Sequence, residues 1–307
     1  MFLLIFLFWL RGTPVQAWNG HKQISAHALS SVQGLDQVVE KTPYTYDIVD
    51  NEQYNPSFEL KYLLKELPEI RAYDVLVSYA QEPDWGLDSD LELHTLQILT
   101  GGSQGWRHQR YTIFGGQIAF GTAPQRAQHF YDLAQYAYSL GDTYWAYRFL
   151  SRSMHYLQDM GQPLHTLPLP TADFVFQYKL SLKKAARVGE NVHHNLESFI
   201  LSQLTGERQS FIDALEVGGT KSFGSVSQGA VELNQAVRPM AERQYFLVLK
   251  VWPDLAEPTS IRMNFSNYVP NETNPHMEEL LSIIGDSLTL TAQYSRGLIE
   301  KFQAENC

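Results

Sequence analysis

The chain has 307 residues, 44% of them hydrophobic and 18% charged, which suffices for one large domain or two small ones with a real core and excludes a disordered chain. A formal net charge of -10 argues against a broad basic surface for polyanions, although bound divalent cations would create a local positive region that the residue count omits. The only cysteine is Cys307, which excludes an intrachain disulfide and a thiolate metal site, so zinc would depend on nitrogen and oxygen ligands, with ten histidines to choose from.

The opening MFLLIFLFWL is apolar but too short for a spanning helix, and Val15-Gln16-Ala17 supplies the small residues that a signal peptidase reads. Cleavage is expected after Ala17, which makes residues 1–17 a signal peptide and the mature protein secreted or periplasmic. Ile24, Ala28 and Leu29 have the spacing of a first helix with His21 at its start. Residues 41–60, carrying Pro43 and Pro56, read as a long connection, and residues 60–67 resume helical spacing. Asp84 follows Pro83, the usual setting of a helix cap. Residues 91–99 read as a helix that sets His94 among leucines, and residues 101–108 as a glycine-bearing loop ending at His108. Residues 127–137 and 144–154 form a helical hairpin broken at Gly141-Asp142, with His129 in a structural position on its first arm.

The densest chemistry lies in His155-Tyr-Leu-Gln-Asp159-Met-Gly-Gln-Pro-Leu-His165. His155 and Asp159 are four apart, so on a helix an imidazole and a carboxylate share one face and reach one metal ion. Gly161 and Pro163 end or bend that helix, which presents His165 from a turn, as suits a ligand for a neighbouring ion. His193 and Glu197 repeat the four-residue spacing, with residues 166–176 as a connection before them. Two such pairs make a metal centre the better reading than a core histidine beside a capping acid. Beyond residue 200, residues 237–251 and 278–302 are helical and residues 218–229 and 253–275 connect. No strand-like alternation is sustained, so the expected class is all-α, a single helical domain over residues 18–307.

His155, Asp159 and His165 within HYLQDMGQPLH, followed by His193 and Glu197, resemble the zinc-dependent phospholipase C and S1/P1 nuclease superfamily. The resemblance is clearest over residues 18–200. It implies about three zinc ions in a cleft of the helical domain. It also implies that Trp18, once freed as the N-terminus, binds zinc through its α-amino nitrogen and carbonyl oxygen. Carried over residue by residue, Asp84, His108, His155 and Asp159 would hold one ion. Trp18, His21 and a bridging Asp159 would hold a second, and His165, His193 and Glu197 a third. His27 is the alternative to His21, Asp88 and Asp90 to Asp84, and His94 to His108.

Such a site suits hydrolysis of a phosphate ester, with Asp84 as the group that orients or deprotonates the attacking water. Glu197 as the last ligand and the absence of disulfides favour the phospholipase C branch, with a phospholipid at a membrane or micelle surface as partner and no stable protein partner. A single-strand nuclease or 3'-nucleotidase acting on single-stranded nucleic acid is the alternative, and a secreted zinc-binding protein without catalysis a third possibility.

Overall fold

The structure, a computed structural model, describes residues 20–64, 66–113, 118–167, 177 and 181–306. The helices are α1 (His21–Ala28), α2 (Ala72–Tyr79), α3 (Ser103–His108), α4 (Ala123–Ser139), α5 (Thr143–Asp159), α6 (Leu182–Thr205), α7 (Gln209–Glu216), α8 (Val226–Val251) and α9 (Pro275–Asn306). Short 3-10 turns lie at Glu82–Trp85, Thr95–Thr100, Pro163–Thr166 and Pro253–Ala256. The fold is therefore mostly helical. Two small antiparallel pairs accompany it: β1 (Val38–Glu40) with β2 (Glu69–Arg71), Val39 opposite Ile70, and β3 (Tyr111–Ile113) with β4 (Ile118–Phe120), Thr112 opposite Ala119. Strands of three residues are too short for a two-residue period to show in sequence. No helix among the described residues is long and apolar enough to cross a membrane.

Helix α5 is the central element, buried along its whole length from Tyr144 to Asp159 and packed by α2, α4, α8 and α9. Asp142 caps its start, accepting the Trp145 amide at 3.2 Å, and Gly141 takes the left-handed turn that closes the hairpin with α4. A helix buried all round must find partners for its polar side chains. Arg148, Arg152, His155 and Asp159 follow one another at helical spacing and form a polar stripe. The upper half of that stripe grips Glu82: Arg152 donates at 2.8 Å and Arg148 makes two further bonds. Glu82 is fully buried, so losing either arginine would cost about 3–5 kcal/mol. The ion-paired Glu82 sits two residues before Asp84, so the same helix fixes the turn that presents Asp84 to the lower half of the stripe.

Two hydrophobic clusters meet around this polar stripe. One gathers α2, α4 and α5 with the C-terminal part of α9, and the other gathers α6, the C-terminal half of α8 and the N-terminal half of α9. Gly161 lets the end of α5 approach α9 closely, since a Cβ there would stand 1.9 Å from Thr291 Oγ1.

Several sequence expectations change. Residues 60–64 and 66–67 are not helical: Leu64 has a φ of 52°, Lys41 Nζ donates to the carbonyls of Leu63 and Leu64, and Tyr79 Oη accepts the Leu63 amide. Side chains here take the backbone bonds a helix would have used. Residues 91–94 are irregular, and a 3-10 turn follows from Thr95. His108 ends a short helix rather than a loop; a Cβ on Gly105 would meet Thr100 O at 1.7 Å, so this glycine serves close packing. Helix α8 also starts earlier than its apolar spacing suggested, at Val226.

Candidate metal centre

His155 and Asp159 lie one turn apart on α5 with no side-chain exposure. His155 Nδ1 stands 2.7 Å from the carbonyl oxygen of Ala80, which can only accept, so Nδ1 carries the proton and Nε2 presents a lone pair. His108 is fixed in the opposite sense. Its Nε2 stands 3.1 Å from Asp88 Oδ2 and donates to it, leaving Nδ1 to face the cluster. His21, at the start of α1, places Nδ1 2.9 Å from Gln158 Oε1, and Gln158 uses its amide nitrogen toward Ser25 Oγ at 3.0 Å. His21 Nε2 therefore also points inward. In each case an outer acceptor holds one ring nitrogen so that the other serves as a ligand.

The inward atoms converge. His155 Nε2 is 3.0 Å from His108 Nδ1, 3.4 Å from Asp159 Oδ2 and 3.6 Å from Asp84 Oδ1, and His108 Nδ1 is 2.9 Å from Asp159 Oδ2 and 3.8 Å from Asp84 Oδ1. Ligand atoms on a tetrahedral zinc, each about 2.0–2.1 Å from the ion, stand roughly 3.3–3.4 Å apart. Five of the six edges of such a tetrahedron are thus present at about the right length. The other oxygen of Asp159 turns away: Oδ1 is 3.5 Å from His21 Nε2 and 3.4 Å from His165 Nδ1.

A separate triad completes the cluster. His165 stands in the Pro163–Thr166 turn, where Arg110 N donates to its carbonyl, and its Nε2 lies 3.1 Å from His193 Nε2 and 3.2 Å from Glu197 Oε1. His193 and Glu197, one turn apart on α6, are 2.9 Å apart at Nε2 and Oε1. Among the described residues three groups of potential ligands result, buried apart from the partly exposed Asp84: His21, His155 and Asp159; Asp84, His108 and His155; His165, His193 and Glu197. His155 belongs to two of them. Because its Nδ1 is committed to Ala80, it has one lone pair for one ion.

Divalent cations fit these groups on two counts. The donor set is imidazole and carboxylate throughout, as zinc and its neighbours accept. Asp84 Oδ1 and Oδ2, Asp159 Oδ1, His165 Nδ1 and Glu197 Oε2 are buried without a hydrogen bond. Each such atom costs about 1–3 kcal/mol when left unmade, a cost that a shared cation removes.

Burial pushes the Asp84 carboxyl up to about 7, against the nearby His21 and His108 and together with Asp159 and Glu197. For His108 burial works against the charge, but hydrogen bonds with Asp159 and Asp88 prevail and raise it to about 10. Burial and the neighbouring His21 hold His155 well below the ordinary imidazole value, whereas Asp159 stays far below the usual carboxylate range because the facing imidazoles outweigh its burial. The lone pairs and carboxylates gathered here call for positive charge at their centre.

Trp18 lies outside the described residues. His27 faces Glu216 at the surface, 3.0 Å away, apart from the cluster. His94 is exposed, caps the Thr95–Thr100 turn and stacks on Trp106, and His129 bonds Asp50 at 3.0 Å; neither joins a ligand group. Asp90 is exposed, and Asp88 holds Arg107 and Arg126 as well as His108 and thus stands behind the ligands. His194 is half-buried and lies outside the triad.

A cleft of about 720 Å³ borders the cluster, lined among others by Asp84, Trp85, Asp90, Gln104, Glu190, His194 and Arg262. Of the ligand candidates only Asp84 lines it. The Asp84 side chain is 11% exposed, while both its carboxylate oxygens are enclosed. Sequence reasoning left out Gln158 and the Ala80 carbonyl as orienting groups, and Glu190 and Arg262 as cleft walls. Gln158 does sit inside the HYLQDMGQPLH motif, three residues after His155, which was the available signal. Comparison with models of known families, with curated proteins and with solved structures finds no match to this chain.

Proposed function

We propose that the chain is a secreted, zinc-dependent phosphodiester hydrolase, and in its leading form a phospholipase C acting on glycerophospholipids. The observation that carries the reading is the division of Asp159 between two sets of partners, Oδ2 toward His108 and His155 and Oδ1 toward His21 and His165. A carboxylate that faces two ligand sets screens the repulsion between two close cations. Asp84, His108, His155 and Asp159 would hold one ion, His21, Asp159 and the N-terminal Trp18 a second, and His165, His193 and Glu197 a third. This arrangement agrees with the resemblance of HYLQDMGQPLH to the phospholipase C and nuclease superfamily.

Divalent cations here would supply neutralisation of phosphoryl oxygens and acidification of a water molecule to near-neutral pKa. The chain's own residues do the rest. Asp84, which lines the cleft, would orient the attacking water and take its proton. Asp88, Gln158 and Ala80 hold the imidazoles of His108, His21 and His155 in the tautomers that keep their lone pairs inward. Arg148 and Arg152 hold Glu82 and, through it, the turn that carries Asp84.

A second reading, a single-strand nuclease or 3'-nucleotidase, draws support from the cleft walls. They carry Asp90, Gln97, Gln104 and His194, and Trp85 stands beside Asp84 where a base could stack. Incubating the mature, zinc-loaded protein with phosphatidylcholine and, separately, with single-stranded RNA and DNA tests the assignment. Release of diacylglycerol supports the phospholipase, cleavage of the polynucleotides the nuclease, and no activity on any of them contradicts both.

A further inference from the structure

The cleft beside Asp84 has an electrostatic asymmetry. Asp84, Asp90 and Glu190 contribute carboxylates to its walls, and Arg262 is the one Lys or Arg side chain among the lining residues described. Arg262 comes from the connection between α8 and α9, yet it is not loosely placed. Its neighbours on both sides are bonded to α6: Asn191 Oδ1 accepts the Ile261 amide at 3.0 Å, and Asn195 Oδ1 accepts the Met263 amide at 2.7 Å. Asn195 Nδ2 donates to Ile261 O at 2.9 Å, and Asn191 Nδ2 to Thr259 O at 2.8 Å. Both asparagines are fully buried and alternate along α6 with His193 and Glu197. The helix that carries two candidate ligands thus also sets the position of Arg262.

The guanidinium is held but not consumed. One terminal nitrogen donates to Glu190 Oε1 at 3.0 Å and the other to Ile261 O at 3.1 Å, and the Arg262 side chain is still 41% exposed. A guanidinium has five N–H donors in a planar fork, so these two bonds leave donors for a ligand. Glu190 also pairs with Arg187, which keeps its carboxylate neutralised when Arg262 takes a second partner. Water reaches the pair from the Arg262 side and screens it, so an incoming anion can compete with Glu190 for the guanidinium.

We infer that Arg262 is a specificity-determining residue, docking a second anionic group carried by the same molecule as the phosphate ester at the cluster. The inference rests on the phosphodiesterase reading for what lies at the cluster, and it adds the substrate class: phosphate esters with a further phosphate or carboxylate, in preference to singly anionic or zwitterionic ones. With Asp84 neutralised by bound cations and Glu190 by Arg187, Asp90 is the wall carboxylate that remains opposite in charge to Arg262.

Calorimetric titration of the zinc-loaded full chain with non-hydrolysable phosphonate analogues of the ligands tests this without turnover. Two ligand pairs distinguish the source of the second anion: thymidine 3',5'-bisphosphate against thymidine 5'-phosphate, and dihexanoyl phosphatidylserine against dihexanoyl phosphatidylcholine. In one pair the doubly anionic member is expected to bind about tenfold tighter, as one charge-assisted contact supplies. Arg262→Gln should abolish that preference with zinc content unchanged, and Arg262→Lys should keep part of it. Preference within the nucleotide pair assigns the second anion to a nucleic acid, and within the lipid pair to a headgroup. Equal binding within both pairs, or a preference that survives Arg262→Gln, overturns the assignment. Hydrolysis of the preferred ligand class is scored separately, so a protein that binds with this preference but cleaves nothing contradicts the hydrolase reading and not the docking one.

Discussion

Asp88 accepts a hydrogen bond from His108 Nε2 at 3.1 Å, and this contact turns the other nitrogen of the ring toward Asp159, 2.9 Å away. Asp88 is fully buried and held far below the usual carboxylate range because Arg126, His108 and Arg107 together outweigh its burial. Asp88→Asn keeps the size but lets the amide oppose the required tautomer. Metal affinity at the first group should fall about 10–100-fold. Competition titration with a zinc-sensitive chelating dye measures it; unchanged affinity would show that His108 is not oriented by Asp88.

Asp159 alone faces two ligand sets, so Asp159→Asn should weaken two ions and abolish hydrolysis. The triad of His165, His193 and Glu197 touches Asp159 only through His165 Nδ1, while its three facing ligand atoms, His165 Nε2, His193 Nε2 and Glu197 Oε1, contact one another, so it should retain its ion. Elemental analysis of the variant after dialysis, next to an activity assay, checks both parts. Full metal with full hydrolysis would remove Asp159 from the centre.

His94→Ala and His129→Ala should leave bound metal and most activity in place. His94→Ala loses a turn cap at the surface, a change of about 1 kcal/mol or less. His129→Ala removes one hydrogen bond from buried Asp50, whose carboxylate still accepts from Tyr44 and Tyr54, at about 1–2 kcal/mol. Denaturant unfolding and metal analysis on the same samples separate stability from binding. Loss of a zinc from His129→Ala would place that histidine in the centre.

What the sequence disclosed depended on distance along the chain. His155 with Asp159 and His193 with Glu197 were legible because a helix converts a spacing of four into one face, and the mostly helical fold followed from the same periodicity. His21, Asp84 and His108 come from separate elements, and only a family resemblance singled them out beforehand. The glycines before His108 looked like loop residues, although Gly105 is there to let helix and turn touch. Asp88 and Arg262 were invisible as an orienting and a docking group, because their importance lies in tertiary contacts with His108 and with α6. Residues 60–67 had helical spacing that Lys41 and Tyr79 overrode by taking the backbone bonds.

Asp50 makes part of the stability dependent on pH. Burial raises its carboxyl, but hydrogen bonds from His129 and Tyr54 lower it further, so the folded value lies below the ordinary one. A depressed carboxylate stabilises the fold above its unfolded pKa, and that contribution is lost as pH falls through the folded value. Stability should therefore decline below the ordinary carboxylate range, about pH 4, and Asp50→Asn should flatten part of that decline. Unfolding midpoints of both proteins between about pH 6 and 3 give the comparison; parallel curves would exclude Asp50 as a contributor.

The most direct test of the proposed metal centre is the zinc content of folded protein whose first residue has been verified as Trp18. About three zinc ions per chain are expected, from the three ligand groups together with the terminal amine of Trp18. A stoichiometry of one or none, in protein that is folded and begins at Trp18, would contradict the trinuclear account.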